Sequence, residues 1–147
     1  MREKSARTAL IVVDLFAAAS AIVGAVGLVV GFMNIPLSVL GGTPFADFTV
    51  PALLLGFVVS GSALAAATIA LFGPRRIETP ASAAAGSIMV GWMTVEIAMI
   101  GLEVWVQAAY FAVGLLMIGL AALLQRAKPE PWTLAAFRKP PVEPTTT

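Results

Sequence analysis

Four long apolar stretches restrict the fold of this sequence more than any other feature. They cover residues 8–33, 50–72, 80–101 and 106–124, and each is close to the ~20 residues with which an α-helix crosses about 30 Å of hydrocarbon. Hydrophobic residues make up 59% of the chain and charged residues 12%, against roughly 45–50% and about 25% in soluble domains. The sequence therefore predicts an all-α integral membrane protein whose domain, residues 8–124, is a four-helix bundle.

The positions of the basic residues predict the orientation of this bundle. They fall in three places: the basic N-terminus 1–7, the connection between the second and third stretches, and the tail 125–147. These places hold Arg2, Lys4, Arg7, Arg75, Arg76, Arg126, Lys128, Arg138 and Lys139. With four spans all three lie on one side, which the positive-inside rule identifies as the cytoplasm. We expect an N-in/C-in protein with residues 34–49 and 103–105 outside.

Missing residue types exclude much of enzyme chemistry. The chain has no cysteine and no histidine, so thiol nucleophiles, Ser-His-Asp triads and Cys/His zinc sites are ruled out. No phosphate-binding loop or dinucleotide fingerprint is present. The basic residues flank apolar stretches rather than forming a nucleic-acid footprint. We expect no enzymatic activity, no cofactor, no metal site and no nucleic-acid binding.

Two acidic residues, Asp14 and Glu96, lie inside the predicted spans, where an ionisable group is costly and counts as a functional candidate. They lie at different depths, and no basic residue lies at either level, so we expect hydrogen bonds to hydroxyl groups, to backbone oxygens or to another protein. Asp14 is followed by small residues at 17, 18 and 21, which favours a hydrogen bond between closely packed helices.

Helical spacing places Trp92, Glu96 and Glu103 on one face. Together with Asp47 of the outer loop, these acids form a vestibule for protons or cations in one interpretation. In the other, Glu103 is an interfacial residue in contact with water and Glu96 holds two helices together through a hydrogen bond.

The outer loop, 34–49, is unusually apolar. Thr43 followed by Pro44 fits a helix N-cap with proline at the first helical position, so the second helix is expected to begin early in this loop. Phe45 and Phe48 are expected to face lipid or a partner. The loop is either a lid or docking ledge, or a segment resting in the headgroup layer.

Small residues recur at the spacing with which helices pack closely in membranes. The candidate packing positions are Gly27 and Gly31, Gly56 and Ser60, and the series Ala83, Ser87 and Gly91. They serve either packing within the bundle or docking of other subunits.

The tail, 125–147, is rich in proline and cannot form one regular helix. It is either a solvated cytoplasmic segment or a docking segment. In the second interpretation Trp132 and Phe137 contact a partner, and Arg138 and Lys139 lie against anionic lipid.

Three segments resemble a group of small four-span proteins from the inner membrane of actinobacteria, mycobacteria among them. They are GTPFADFTVPALLL at 42–55, GWMTVEI at 91–97 and WVQAAYFAVG at 105–114. The resemblance covers about residues 8–124 and leaves the tail out. It implies the four-span architecture and a location in the bacterial plasma (inner) membrane, and it brings no catalytic residues with it.

The absence of catalytic groups and of a polar stripe along any helix favours a docking role. We therefore expect a non-enzymatic accessory subunit that stabilises a larger inner-membrane complex. By analogy with small mycobacterial subunits, that complex is expected to be an Mce-type lipid import machine in preference to a respiratory enzyme. The alternative is a small proton- or cation-coupled transporter with Glu96 as its coupling group.

Overall fold

The computed structural model describes residues 3–32, 34–101 and 105–127, which form an all-helical protein without strands in these ranges. Its four long helices are α1 (Glu3–Val29), α2 (Thr49–Phe72), α3 (Arg75–Ile100) and α4 (Trp105–Ala127). All four are long and apolar enough to cross a membrane. The prediction of four helices of spanning length is thereby confirmed.

The observed helices begin earlier than two of the predicted stretches. α1 starts at Glu3 rather than at residue 8, and α3 starts at Arg75 rather than at Pro80. Pro80 is therefore the sixth residue of α3 and lies inside the helix rather than at its beginning. Because proline has no N–H, one intrahelical hydrogen bond is missing at this position.

The helices form a closed ring in which each packs against the next along the chain and α4 packs against α1. The core contains mainly alanine and methionine, with one valine. Its buried members are Ala17, Ala18, Ala21, Val59, Ala63, Ala66, Ala85, Met89 and Met117. Small side chains allow the helix backbones to approach closely.

One end of the bundle carries the described basic residues, and we call it the basic end: Lys4, Arg7, Arg75, Arg76 and Arg126. Here Arg7 Nε lies 2.9 Å from Glu78 Oε2 of α3, and the Arg7 guanidinium also donates to the backbone oxygen of Ala70 in α2. Nearby, Ala6 and Leu10 of α1 pack against Leu120 and Leu124 of α4. All four helices therefore have a terminus at this end.

The opposite end, the loop end, carries residues 34–48. This loop contains a single 3-10 turn, Leu37–Leu40, and the predicted helix start at Thr43 is not observed. The Thr43 hydroxyl donates to the Leu40 carbonyl oxygen at 2.9 Å instead. α2 begins only at Thr49, whose N–H donates to Asp47 Oδ1 at 2.8 Å. A side-chain acceptor two residues ahead of the helix thus stabilises its start.

α2 contains one irregular segment. Residues Leu54–Val59 form a π-helix between the α-helical parts Thr49–Leu53 and Ser60–Phe72. Such segments are rare and occur frequently at functional sites. This one lies in the half of α2 that is nearer the loop end.

Candidate functional site

Asp14 is fully buried near the middle of α1. Its Oδ2 accepts a hydrogen bond of 2.6 Å from the Ser82 hydroxyl of α3. Its Oδ1 has no hydrogen-bond partner among the described residues. This arrangement joins two helices and places one buried carboxyl oxygen among apolar neighbours.

Glu96 lies in α3 close to the loop end. Its Oε1 accepts a hydrogen bond of 3.2 Å from Nε2 of Gln107 in α4, and the Gln107 side chain is almost completely buried. The indole of Trp92, one turn earlier in α3, lies near the same carboxyl group. Its buried Nε1 makes no hydrogen bond of normal geometry to the described residues.

Two cavities meet at Glu96. The lateral cavity lies between the helices and has a volume of about 430 Å³. Its walls come from all four helices and one loop residue: Ser20, Ala21, Val23, Gly24, Leu28, Ile35, Leu55, Val59, Met89, Met93, Glu96, Val106, Gln107 and Tyr110. The loop cavity, of about 170 Å³, lies beneath residues 35–48, and Leu28, Ile35, Leu55 and Glu96 line both spaces.

The structure places Phe45 and Phe48 differently from the expectation that they face outward. Both side chains are half-buried and line the loop cavity together with Trp92 and Met99 of α3. Loop residues and α3 residues line the same cavity, so the apolar loop lies over this end of α3. The loop therefore covers Glu96.

The two outer acids were expected to form a vestibule with Glu96. Asp47 is exposed and lines neither cavity. Hydrogen bonds from Thr49 hold the pKa of Asp47 below its ordinary value, so Asp47 stays ionised as a helix cap at neutral pH. Glu103 lies outside the described residues, as do Trp132 and Phe137 of the tail.

Of the predicted packing positions, Gly56 and Ser60 lie at the contact between α1 and α2. A Cβ on Gly56 would stand 3.2 Å from the Ala25 Cβ, and the Ser60 hydroxyl donates to the Ala18 carbonyl oxygen at 3.1 Å. Gly27 is buried in α1. Gly31 lies beyond the end of α1 at φ 69°, with open space where a Cβ would be, and thus does not pack against another described helix.

In the third predicted series Ala83 is half-buried, and the other two members point away from the core. Ser87 and Gly91 are exposed, and a Cβ on Gly91 would meet no described atom within 4 Å. The close crossing of α3 and α4 instead uses Gly86 and Gly114, where a Cβ on Gly86 would stand 2.8 Å from the Gly114 carbonyl oxygen.

Sequence reasoning missed the partners of the two acids. Gln107 carried a usable signal, because an amide inside an apolar stretch needs a hydrogen-bond partner. Ser82 carried none, since a lone serine in a helix bonds equally well to its own backbone. In the described ranges the acidic residues form no group of three that could hold a metal ion.

These contacts make Glu96 the best candidate for a functional group. It is a half-buried carboxyl group at the junction of two apolar cavities, held by an amide from the neighbouring helix and covered by a loop. Asp14, by contrast, has the geometry of a packing contact. Searches of protein families, curated proteins and solved structures found no match to this chain.

Proposed function

We propose that this chain is a non-enzymatic accessory subunit of a larger inner-membrane complex. One observation carries the proposal: α3 presents a continuous stripe of small residues on the outer surface of the bundle. The stripe consists of Ala84, Ser87, Gly91, Thr94 and Ala98, all of which are exposed. Their spacing of three and four residues keeps them on one face of the helix.

The stripe differs from the neighbouring outer surface. α1 exposes Phe16 and Val23, and α2 exposes Phe57 and Leu64, which are bulky side chains suited to contact with lipid. Small residues let the backbone of another helix approach closely, and such stripes are typical of helix–helix interfaces in membranes. The hydroxyl groups of Ser87 and Thr94 already donate to carbonyl oxygens of their own helix. A partner helix would therefore leave no hydroxyl group unsatisfied.

The proposal also covers the orientation of the protein in the membrane and the contacts of its tail. Both termini lie in the cytoplasm, and there the tail, with Trp132 and Phe137, contacts the partner or anionic lipid. The preferred partner is a lipid import machine of the Mce type, which rests on analogy alone.

A proton- or cation-coupled transporter with Glu96 as coupling group is the second candidate. The position of Glu96 at the junction of two cavities favours it. A core of mostly alanine, valine and methionine side chains lies between Glu96 and Asp14, and it offers few groups that could relay a proton. Substitution Glu96→Gln in protein reconstituted into liposomes tests this candidate, because coupled flux through Glu96 must be lost.

Co-purification tests the subunit proposal. The tagged protein is isolated from its native host in mild detergent, and co-eluting proteins are identified by mass spectrometry. Gly91→Leu places a bulky side chain on the stripe at a position where a Cβ would meet no described atom within 4 Å, and it is expected to remove the co-eluting partner.

Ala65→Leu is the matched control, since Ala65 is exposed on α2, away from the stripe, and this variant is expected to retain the partner. Recovery of only this chain from several detergents would contradict the proposal. So would a partner that both variants retain equally.

A further inference from the structure

The lateral cavity has the composition of a site for an amphipathic molecule. Its volume of about 430 Å³ falls within the range of roughly 300–1,000 Å³ that is usual for small-molecule pockets. Most of its walls are apolar, and the side-chain polar groups are contributed by Ser20, Glu96, Gln107 and Tyr110. Pockets of this type bind an apolar body and fix its orientation through a few polar contacts.

The cavity opens on the side of the bundle, between α1 and α4. These two helices pack together at the basic end through Leu10 and Leu124, whereas in the half near the loop end the cavity separates them. The rim residues Val23 and Val106 are 62% and 37% exposed. In a bundle that spans a membrane, a side opening between helices admits molecules from the hydrocarbon layer. The molecules of that layer are lipids.

The backbone of α2 maintains the open space. Leu55 and Val59, both in the π-helical segment, line the cavity. In the same segment Gly56 packs tightly against Ala25 of α1. Opposite Leu55, α1 offers Gly24, where a Cβ would stand 3.1 Å from Leu55 Cδ2. The Leu55 side chain therefore packs directly against the α1 backbone, and both residues form part of the cavity wall.

The polar end of the site lies where the two cavities meet. Glu96 offers a carboxyl group there, and Trp92 offers a buried indole N–H that lies near this carboxyl group without a hydrogen bond of normal geometry to it. A hydroxyl group both donates and accepts, so one hydroxyl can serve both side chains. Neither cavity is lined by a lysine or an arginine among the described residues, so an anionic headgroup would find no opposite charge there.

We propose that the lateral cavity binds an uncharged single-chain lipid with a hydroxyl end group, of which a monoacylglycerol is the simplest example. The hydroxyl lies at Glu96 and Trp92 beneath the loop. The first part of the acyl chain runs along α3 towards Met89, which lies about 10 Å from Glu96 along the helix axis. The rest of the acyl chain leaves the bundle between α1 and α4. This inference does not depend on the proposed subunit function, since the stripe on α3 lies on a different surface.

Quenching of Trp92 fluorescence tests the proposal directly. The full chain carries Trp105→Phe and Trp132→Phe, which leaves Trp92 as its only tryptophan, and it is reconstituted into phosphatidylcholine nanodiscs. The probe is a monoacylglycerol brominated near the middle of its chain. We expect quenching that saturates at a low mole fraction of probe against the excess of bulk lipid.

Two variants distinguish the cavity from the surrounding lipid. Gly24→Leu fills the cavity and is expected to raise the half-saturating mole fraction about tenfold, because overlap with a few methylene groups is strongly unfavourable. Glu96→Gln keeps the packing and is expected to raise it about fivefold, since the net contribution of about one hydrogen bond to the carboxyl group is lost. Gly119→Leu, on the open surface of α4, is the matched control and leaves the curve unchanged.

Quenching that rises without saturation and equally in all variants would overturn the proposal, because it would report only lipid around the bundle. Equal saturation by a fatty acid brominated at the same position would overturn the assignment of an uncharged end group. If Gly24→Leu does not fold, as judged by circular dichroism and gel filtration, the Glu96→Gln variant alone tests the binding site. An unchanged half-saturating mole fraction in that variant then refutes the site.

Discussion

Asp14 illustrates how a single polar residue is accommodated in this core. A carboxyl group without partners inside an apolar environment is costly, and the Ser82 hydroxyl offsets part of that cost through its hydrogen bond to Oδ2. Because the two residues belong to α1 and α3, which stand diagonally opposite in the ring, their hydrogen bond crosses the core.

Substitution Ser82→Ala is therefore expected to lower the free energy of unfolding by about 1–2 kcal/mol, since neither Asp14 carboxyl oxygen would then have a side-chain partner. Unfolding in mixed micelles with increasing fractions of dodecyl sulfate measures this difference. Ser87→Ala is the control, because the Ser87 hydroxyl is exposed and bonds only within its own helix. A similar loss in both variants would argue against the interhelical hydrogen bond.

At the scale of helices, the crossing of α3 and α4 depends on two glycines that face each other. A Cβ on Gly114 would stand 2.8 Å from Val90 Cγ2 and 3.0 Å from the Gly86 carbonyl oxygen. The second of these atoms belongs to the backbone and cannot rotate away. The two helices can keep this distance only when both positions lack a side chain.

Gly114→Ala is expected to destabilise the bundle by about 1–3 kcal/mol through overpacking at this crossing. Gly119→Ala, in the same helix with open space at its Cβ position, should be neutral or stabilising, because alanine is the better helix former by roughly 1 kcal/mol. The same unfolding titration compares the two. Equal effects of the two substitutions would show that helix propensity, and not the crossing, determines the outcome.

For the whole molecule, the distribution of charge distinguishes the two ends. The five described basic side chains gather at the basic end, while the loop end carries the exposed acid Asp47 and the half-buried Glu96. The ion pair between Arg7 and Glu78 fixes the start of α1 beside the turn that joins α2 and α3. This asymmetry supports the proposal that the basic end lies in the cytoplasm.

Alkaline phosphatase, which is active only outside the cytoplasm, tests this orientation when fused at two positions. A fusion after Thr147 is expected to be inactive. An insertion at Gly42, an exposed loop residue with φ 92° and open space around it, is expected to be active. The reverse pattern would contradict the proposed topology.

The sequence alone determined the class of fold, the number of long helices and the separation of charge. These properties depend on the length of apolar stretches and on the order of residues along the chain, so they can be recognised without knowing which residues touch. The two acids were recognised in the same way, because an acidic residue inside an apolar stretch is visible in the sequence.

Only the tertiary structure decided which face of each helix points inward. Helices that are apolar on every side carry little periodic signal for their inner face, so the rotation of each helix about its axis depends on how the side chains fit together. For this reason Gly86 and Gly114 lie at a crossing, whereas Gly91 points outward. The same fit turns Phe45 and Phe48 inward over Glu96 and leaves the lateral cavity open between α1 and α4.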